Sequence, residues 1–168
     1  MKMYSIYACL SKYIKIIVLC AISVHVSAEQ LSGKVVRVID GDTIDIEIAT
    51  DPPVSSSSVR VRLMNIDAPE ITQPYGEWSK SQLENLIDGE KVSVNYSSHD
   101  KYGRILGLVY TSRNMQVNTW MVCNGAAWVY SKYSNDPVLE LVEKDAQINK
   151  VGLWNDSNPV PPWEWRRR

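Results

Sequence analysis

Between Lys34 and Tyr110 this chain carries five short stretches where apolar and polar residues alternate, each cut off by turn-forming residues. Alternation places successive side chains on opposite faces of an extended backbone, so each stretch has one face to bury and one to leave in water. Lys34–Ile39 and Thr43–Ile48 have this pattern, with Asp40-Gly41-Asp42 as the turn between them. Val59–Ile66 repeats it, with Val59, Val61 and Leu63 against Arg60, Arg62 and Met64. Lys91–Tyr96 and Arg104–Tyr110 form a second hairpin through Asp100-Lys101-Tyr102-Gly103. Strands this short have no stability alone, and five of them must share one core.

Helical patterning lies between and after these strands. Pro74–Asp88 places Trp78, Leu83, Leu86 and Ile87 on one side and stops at Gly89. Val117–Asn124 reads as a short helix closed by Gly125, and Val138–Asn149 as a longer one capped from Asp136 and followed by Gly152. Asp51–Ser58, with two prolines and four serines, is expected to be a surface loop. At 168 residues the chain has room for one domain with a real core. Three strands, a helix, two strands and then helices is the order of an OB-fold, an α+β and mainly β architecture. The expectation is an all-antiparallel five-stranded barrel with about three helices.

The first 28 residues fall outside that pattern. Lys2, Lys12 and Lys15 precede the apolar run Ile16–Val24, and Val26-Ser27-Ala28 fits a small-residue cleavage site. The run is too short to span a bilayer, so 1–28 is read as a signal peptide, with an uncleaved anchor as the alternative. The folded domain is then expected over 29–154, with 155–168 as a tail, in an exported chain that is periplasmic or secreted. The first 28 residues carry three of the 18 Lys and Arg and none of the 19 Asp and Glu, which leaves the remainder at −4. Such a chain cannot grip nucleic acid through bulk positive charge; a local site must do it. Cys9 and Cys20 leave with the signal, so Cys123 has no intramolecular partner and is expected to be a buried, inert thiol.

Four segments carry more than fold information. They are Val38-Ile39-Asp40-Gly41-Asp42-Thr43, Arg62-Leu63-Met64-Asn65-Ile66-Asp67-Ala68-Pro69-Glu70, Asp100-Lys101-Tyr102-Gly103-Arg104 and Gly152-Leu153-Trp154. In this order and spacing they resemble the staphylococcal nuclease family, and the resemblance spans Leu31 to Trp154. It implies an OB-fold enzyme that hydrolyses DNA and RNA with calcium and leaves 3′-phosphates. Arg62 and Arg104 match the arginines that clasp the phosphate, and Glu70 the general base or water-orienting carboxylate. Asp42 and Asp67 match the metal-binding carboxylates. Ala68 stands where the family commonly has Thr and keeps the main-chain carbonyl that serves the metal. Lys101, Tyr102 and Tyr133 match substrate contacts, with Tyr130 and Lys132 nearby.

The residue chemistry agrees. Two carboxylates at one barrel rim repel unless a cation lies between them, and calcium, with its oxygen preference and irregular shell, suits the pair. A guanidinium offers two parallel donors to two phosphate oxygens, which an ammonium does not. Asp40 is read as a turn builder, and His99 as a solvated turn residue. Trp128, Tyr130 and Tyr133 serve either as core and rim packing or as a base-stacking surface. The stretch after Glu70 has no lysine-rich loop. Trp163-Glu164-Trp165-Arg166-Arg167-Arg168 is expected to be an irregular, solvated tail, with a minor nucleic-acid or membrane-surface contact as the alternative. The substrates are DNA and RNA, and the chain is expected to be monomeric, with no membrane insertion after signal removal. A catalytically silent barrel that only binds nucleic acid is the competing class, but silent relatives lose carboxylates or arginines that are all present here. An exported calcium-binding structural protein would leave both arginines without a purpose.

Overall fold

The computed structural model describes residues 29–48 and 57–168, so the expected signal segment and most of the serine-rich loop lie outside the described residues. Seven strands are described: β1 Glu29–Asp40, β2 Thr43–Ile48, β3 Ser57–Leu63, β4 Ile66–Asp67, β5 Lys91–His99, β6 Ile105–Thr111 and β7 Trp128–Val129. The helices are α1 Gly76–Ile87, α2 Val117–Cys123, α3 Pro137–Ile148 and α4 Pro162–Trp165, with a 3-10 turn at Gly152–Asn155.

Five strands close a barrel in the order β1-β2-β3-β6-β5. The expected all-antiparallel barrel is corrected at one seam, where β3 and β6 run parallel. A closed ring of five strands cannot alternate direction all the way round, so one neighbouring pair must be parallel. β1 exceeds the expected stretch because it serves two partners, pairing with β5 through Glu29–Lys34 and with β2 through Lys34–Asp40. Two register shifts in its second half bend it around the barrel.

The interior is filled by the inward set of the alternating pattern, including Val35, Ile44, Ile46, Val61, Leu63, Val94 and Val109, each without solvent exposure. Leu83 and Ile87 of α1 and Met121 and Val122 of α2 complete the same core. Each such side chain contributes about 1.5–3 kcal/mol when buried. In α3 the Asp136 carboxylate accepts from the Val138 amide at 2.9 Å, the expected cap.

Two expectations need correction. The third strand does not run through to Ile66: it stops at Leu63, turns at Asn65 with φ 68°, and restarts as β4 against β7. The turn is pinned by Asn118, buried on α2, whose amide nitrogen donates to Met64 O at 2.9 Å and Gly107 O at 3.2 Å. Cys123 is exposed, not buried. It ends α2, whose buried face is Val117, Asn118, Met121 and Val122, and the next residue on the helix has already rotated off that face.

Candidate active site

Three chain segments meet at one end of the barrel. The tight β1–β2 turn presents Asp42; its amide donates to Asp40 Oδ1 at 2.9 Å, so Asp40 builds the turn. Gly41 lets the turn press against the neighbouring segments, because a Cβ there would sit 2.0 Å from Ser79 Oγ and 2.7 Å from Ala68 Cβ. The β2–β3 register pairs Thr43 with Arg62, setting the arginine beside Asp42. β4 brings in Asp67, held opposite Trp128 of β7. Glu70 follows on a loop that packs so closely on α1 that a Cβ at Gly76 would lie 1.9 Å from Glu70 O.

Asp42, Arg62 and Asp67 form one cluster. Arg62 Nη2 lies 2.8 Å from Asp67 Oδ1 and 3.0 Å from Asp42 Oδ2, while Nη1 donates to Leu63 O at 3.0 Å. The Ala68 amide donates to Asp42 Oδ2 at 2.6 Å, and Thr43 Oγ1 to its Oδ1 at 3.1 Å. Asp67 is 1% exposed and Asp42 5%. Burial pushes the Asp42 carboxyl well above its usual range; Arg62 pulls against that, and Asp40 and Asp67 add to the rise. Two dry carboxylates with one shared guanidinium leave a local excess of negative charge that is costly without a further cation.

An open cleft of about 790 Å³ joins this cluster to the remaining candidates. Glu70, Lys101, Tyr102, Arg104, Tyr130 and Tyr133 all line it, with Ala68 in its wall. Tyr102 and Tyr133 are 71% and 65% exposed, presenting their rings to solvent at the rim. Lys132 lies outside the lining, over the Tyr133 ring at 5.4 Å. His99 ends β5, exposed and edge-on to Tyr96.

Arg104 lines the cleft but does not join the carboxylate cluster. Its Nε donates to Asp100 Oδ2 at 2.7 Å, and its guanidinium faces the Tyr102 ring at 5.6 Å. Asp100 organises this whole turn, its other oxygen accepting from the Tyr102 and Arg104 amides at 2.8 and 3.0 Å. Burial raises the Asp100 carboxyl, yet the hydrogen bonds from Arg104 and Tyr102 outweigh it, and the net shift is downward.

The tail departs from expectation most. Instead of an irregular solvated segment it forms α4, and Trp163 stacks on Tyr130 with centroids 5.2 Å apart and planes 3° from parallel. Arg166 then enters the site, Nη2 at 2.6 Å from Asp67 Oδ2 and Nη1 at 2.6 Å from Glu70 Oε1. Its basicity rises because it donates to Asp67 and, secondly, to Glu70. The sequence signal was the pair of tryptophans before the arginines: two indoles cost too much apolar exposure to stay in water beside an aromatic-lined cleft.

Among the described residues, no group of three or more His, Cys, Asp or Glu side chains is arranged to hold a metal ion. A cation here would rest on the Asp42 and Asp67 carboxylates, the Ala68 carbonyl and solvent. That is an all-oxygen donor set in a cleft where Asp40, Asp42, Asp67 and Glu70 outnumber Arg62 and Arg166, which fits a hard divalent ion such as calcium.

The chain's resemblances agree with the geometry. The family model described as staphylococcal nuclease homologue matches residues 60–156. A chain named uncharacterized endonuclease from Escherichia coli is 49% identical over 157 residues, covering 94% of this chain and 98% of its own length. A micrococcal nuclease from Shigella flexneri is 39% identical over 145 residues, 80% of each chain. With a closed five-stranded barrel, a rim cleft and these relatives in accord, the chain belongs to the staphylococcal nuclease family.

Proposed function

We propose that this chain is an exported, calcium-dependent nuclease that hydrolyses phosphodiester bonds of DNA and RNA and leaves 3′-phosphates. The observation that carries the reading is the single cleft in which Asp42, Arg62, Asp67 and Glu70 converge beneath Arg104, Lys101, Tyr102 and Tyr133. In a net-acidic chain, Arg62, Lys101 and Arg104 supply this cleft with the local positive charge that a polyanion needs. Micrococcal nuclease and endonuclease are the activities named for its relatives.

Asp42 and Asp67, with the Ala68 carbonyl, would hold calcium, which would supply positive charge against the phosphate and against the two buried carboxylates. Arg62, held by Leu63 O, Asp42 and Asp67, turns its donors to the phosphate as calcium takes over the two carboxylates. Arg104 swings from Asp100 to a second pair of phosphoryl oxygens. Glu70 orients the attacking water and accepts its proton, the P–O5′ bond breaks, and the departing 5′-oxygen takes a proton from solvent, so the 3′ side keeps the phosphate. Tyr102 and Tyr133 stack on bases without reading them, which gives weak sequence preference. Residues 1–28 are removed on export at Ala28, and the remaining chain acts as a soluble monomer.

Purified protein incubated with plasmid DNA and with RNA, in calcium and in chelator, tests the activity. Cleavage of both substrates in calcium and none in chelator is the expected result. Binding without cleavage under every cation would make the chain a silent nucleic-acid-binding barrel instead. Intact mass of the recovered protein should begin at Glu29; a species retaining Met1 in the membrane fraction would overturn the export reading.

A further inference from the structure

The arm 159–168 is built to deliver one particular side chain. Gln73 Nε2 holds its start by donating to Val160 O at 2.6 Å. Trp163 holds its middle, stacked on Tyr130 and edge-on to Trp128 at 5.8 Å. The Arg166 amide donates to Pro162 O at 3.0 Å, so one helical turn aims the residue. Arg166 alone of the three terminal arginines reaches the cleft; Arg168 lies over the Trp165 ring instead. An arm that served only bulk charge would need neither the anchors nor this selection.

Its guanidinium spans two carboxylates with different tasks. Nη2 takes Asp67 Oδ2 and Nη1 takes Glu70 Oε1, both at 2.6 Å, with a weaker 3.3 Å contact from Nη1 to Asp67 Oδ1. Asp67 is buried and already fixed by β4, Arg62 and the core. Glu70 is different: its side chain is 40% exposed on a loop, where its rotamers are otherwise free. A rigid planar fork between a fixed and a free carboxylate transmits the order of the first to the second.

We infer that Arg166 is a positioning residue of the nuclease centre, tying Glu70 to Asp67 so that one Glu70 oxygen is held and the other is set toward water. This rests on the reading that Glu70 orients the attacking water. The arm is thereby part of the active site.

The test uses the mature chain, wild type and with Arg166→Ala, Arg166→Lys, Glu70→Gln and the Glu70→Gln/Arg166→Ala pair. With calcium and an oligonucleotide substrate, Arg166→Ala should lower kcat by about 10- to 10²-fold, the scale for losing a partner that orients a reacting group, with KM little changed. The double variant should lose no more than Glu70→Gln alone, since both changes remove one unit. Added methylguanidinium should restore part of the activity of Arg166→Ala and none of Glu70→Gln, which also separates positioning from misfolding. Lys, lacking the fork, should rescue poorly. Without metal or substrate, the Glu70 carboxyl carbon resonance should move on Arg166→Ala. Unchanged kcat, additive losses or an unmoved resonance would overturn the inference. Raised kcat with tighter calcium binding would also overturn it and make Arg166 a latch competing for Asp67. An inactive wild type would instead defeat the nuclease reading, a different failure.

Discussion

Two aspartates in this molecule each lie between two arginines, and they have little else in common. Asp45, on the barrel's outer face, accepts from Arg37 Nη2 at 2.6 Å and Arg60 Nε at 2.8 Å, and those arginines are 61% and 47% exposed. Asp67 accepts from Arg62 and Arg166, 13% and 42% exposed, and shares Arg62 with a second buried carboxylate. At Asp45 two solvated guanidiniums outnumber the one carboxylate, itself only 6% exposed beneath them, so the carboxyl is held below its usual range, first by the Arg60 hydrogen bond. At Asp67 the neighbouring Asp42 is pushed well above its range by burial. The same residue types make a self-satisfied surface cluster in one place and an electrostatically incomplete one in the other. Function collects where the charges are left wanting a partner.

The isosteric change Asp67→Asn should have the largest effect. It removes a candidate calcium ligand and the partner of two arginines, so cleavage should fall to the level seen in chelator. Calcium titration followed by calorimetry should show lost or greatly weakened binding. Calcium-supported cleavage near the wild-type rate would break the comparison at its root. Glu70→Gln comes next. It keeps size and hydrogen bonding, and turnover should drop by about 10²-fold or more, the scale of general-base contributions, while nucleotide binding in calcium survives. Parallel loss of binding would move Glu70 among the ligands.

Arg104→Lys sharpens the picture of how the site is completed. Arg104 is parked on Asp100, outside the carboxylate cluster, so its contribution depends on moving to the phosphate. Lys keeps the charge and loses the fork, and turnover should fall by about 10²-fold, equivalent to about 2.7 kcal/mol of transition-state stabilisation. Melting temperature should be close to wild type. Near-normal turnover would reduce Arg104 to general electrostatic support.

The two clusters also differ in how far the sequence revealed them. Arg37, Asp45 and Arg60 are direct cross-strand partners, but Arg37 faces Asp45 only through the register shift between Val38 and Asp40, which alternation does not reveal. The five barrel strands and three helices were legible because period and turn residues are local. The convergence of Asp42, Arg62, Asp67 and Glu70 was legible only through the ordered motifs, because barrel closure, not spacing, brings the β1–β2 turn to β4. The split of the third strand depends on Asn65 adopting a left-handed conformation under the buried Asn118, a partner that no window around Asn65 contains. The tryptophan pair marks the tail as one that packs, but nothing local says which of its three arginines reaches Asp67, 99 positions away. The parallel β3–β6 seam followed from ring closure and could have been derived from the strand count.

The smallest effect should come from Asp45→Asn, the same substitution in the surface cluster. Its folded carboxyl is stronger than in the unfolded chain, so it stabilises the fold above the ordinary Asp range and loses that contribution as pH falls through the lowered native value. The variant should therefore be less stable than wild type at neutral pH, with the gap closing in acid. Exposed pairs contribute about 0.2–1 kcal/mol each, and Asp45 makes two of them with well-solvated arginines, so a loss of about 2 kcal/mol is the expected ceiling. Added salt should narrow the difference, because screening already weakens the wild-type cluster. Turnover and calcium affinity should match wild type, since Asp45 lies outside the main cleft. One structural detail makes this a demanding test: a second, shallower depression lined by Arg37, Asp45 and Arg60 also touches Tyr102 and Arg104. If Asp45→Asn freed those arginines for a passing polynucleotide, KM on long DNA would fall while KM on a dinucleotide stayed fixed. That outcome would turn the surface cluster from the foil of the active site into an extension of it, and the contrast between the two aspartates would then be one of degree.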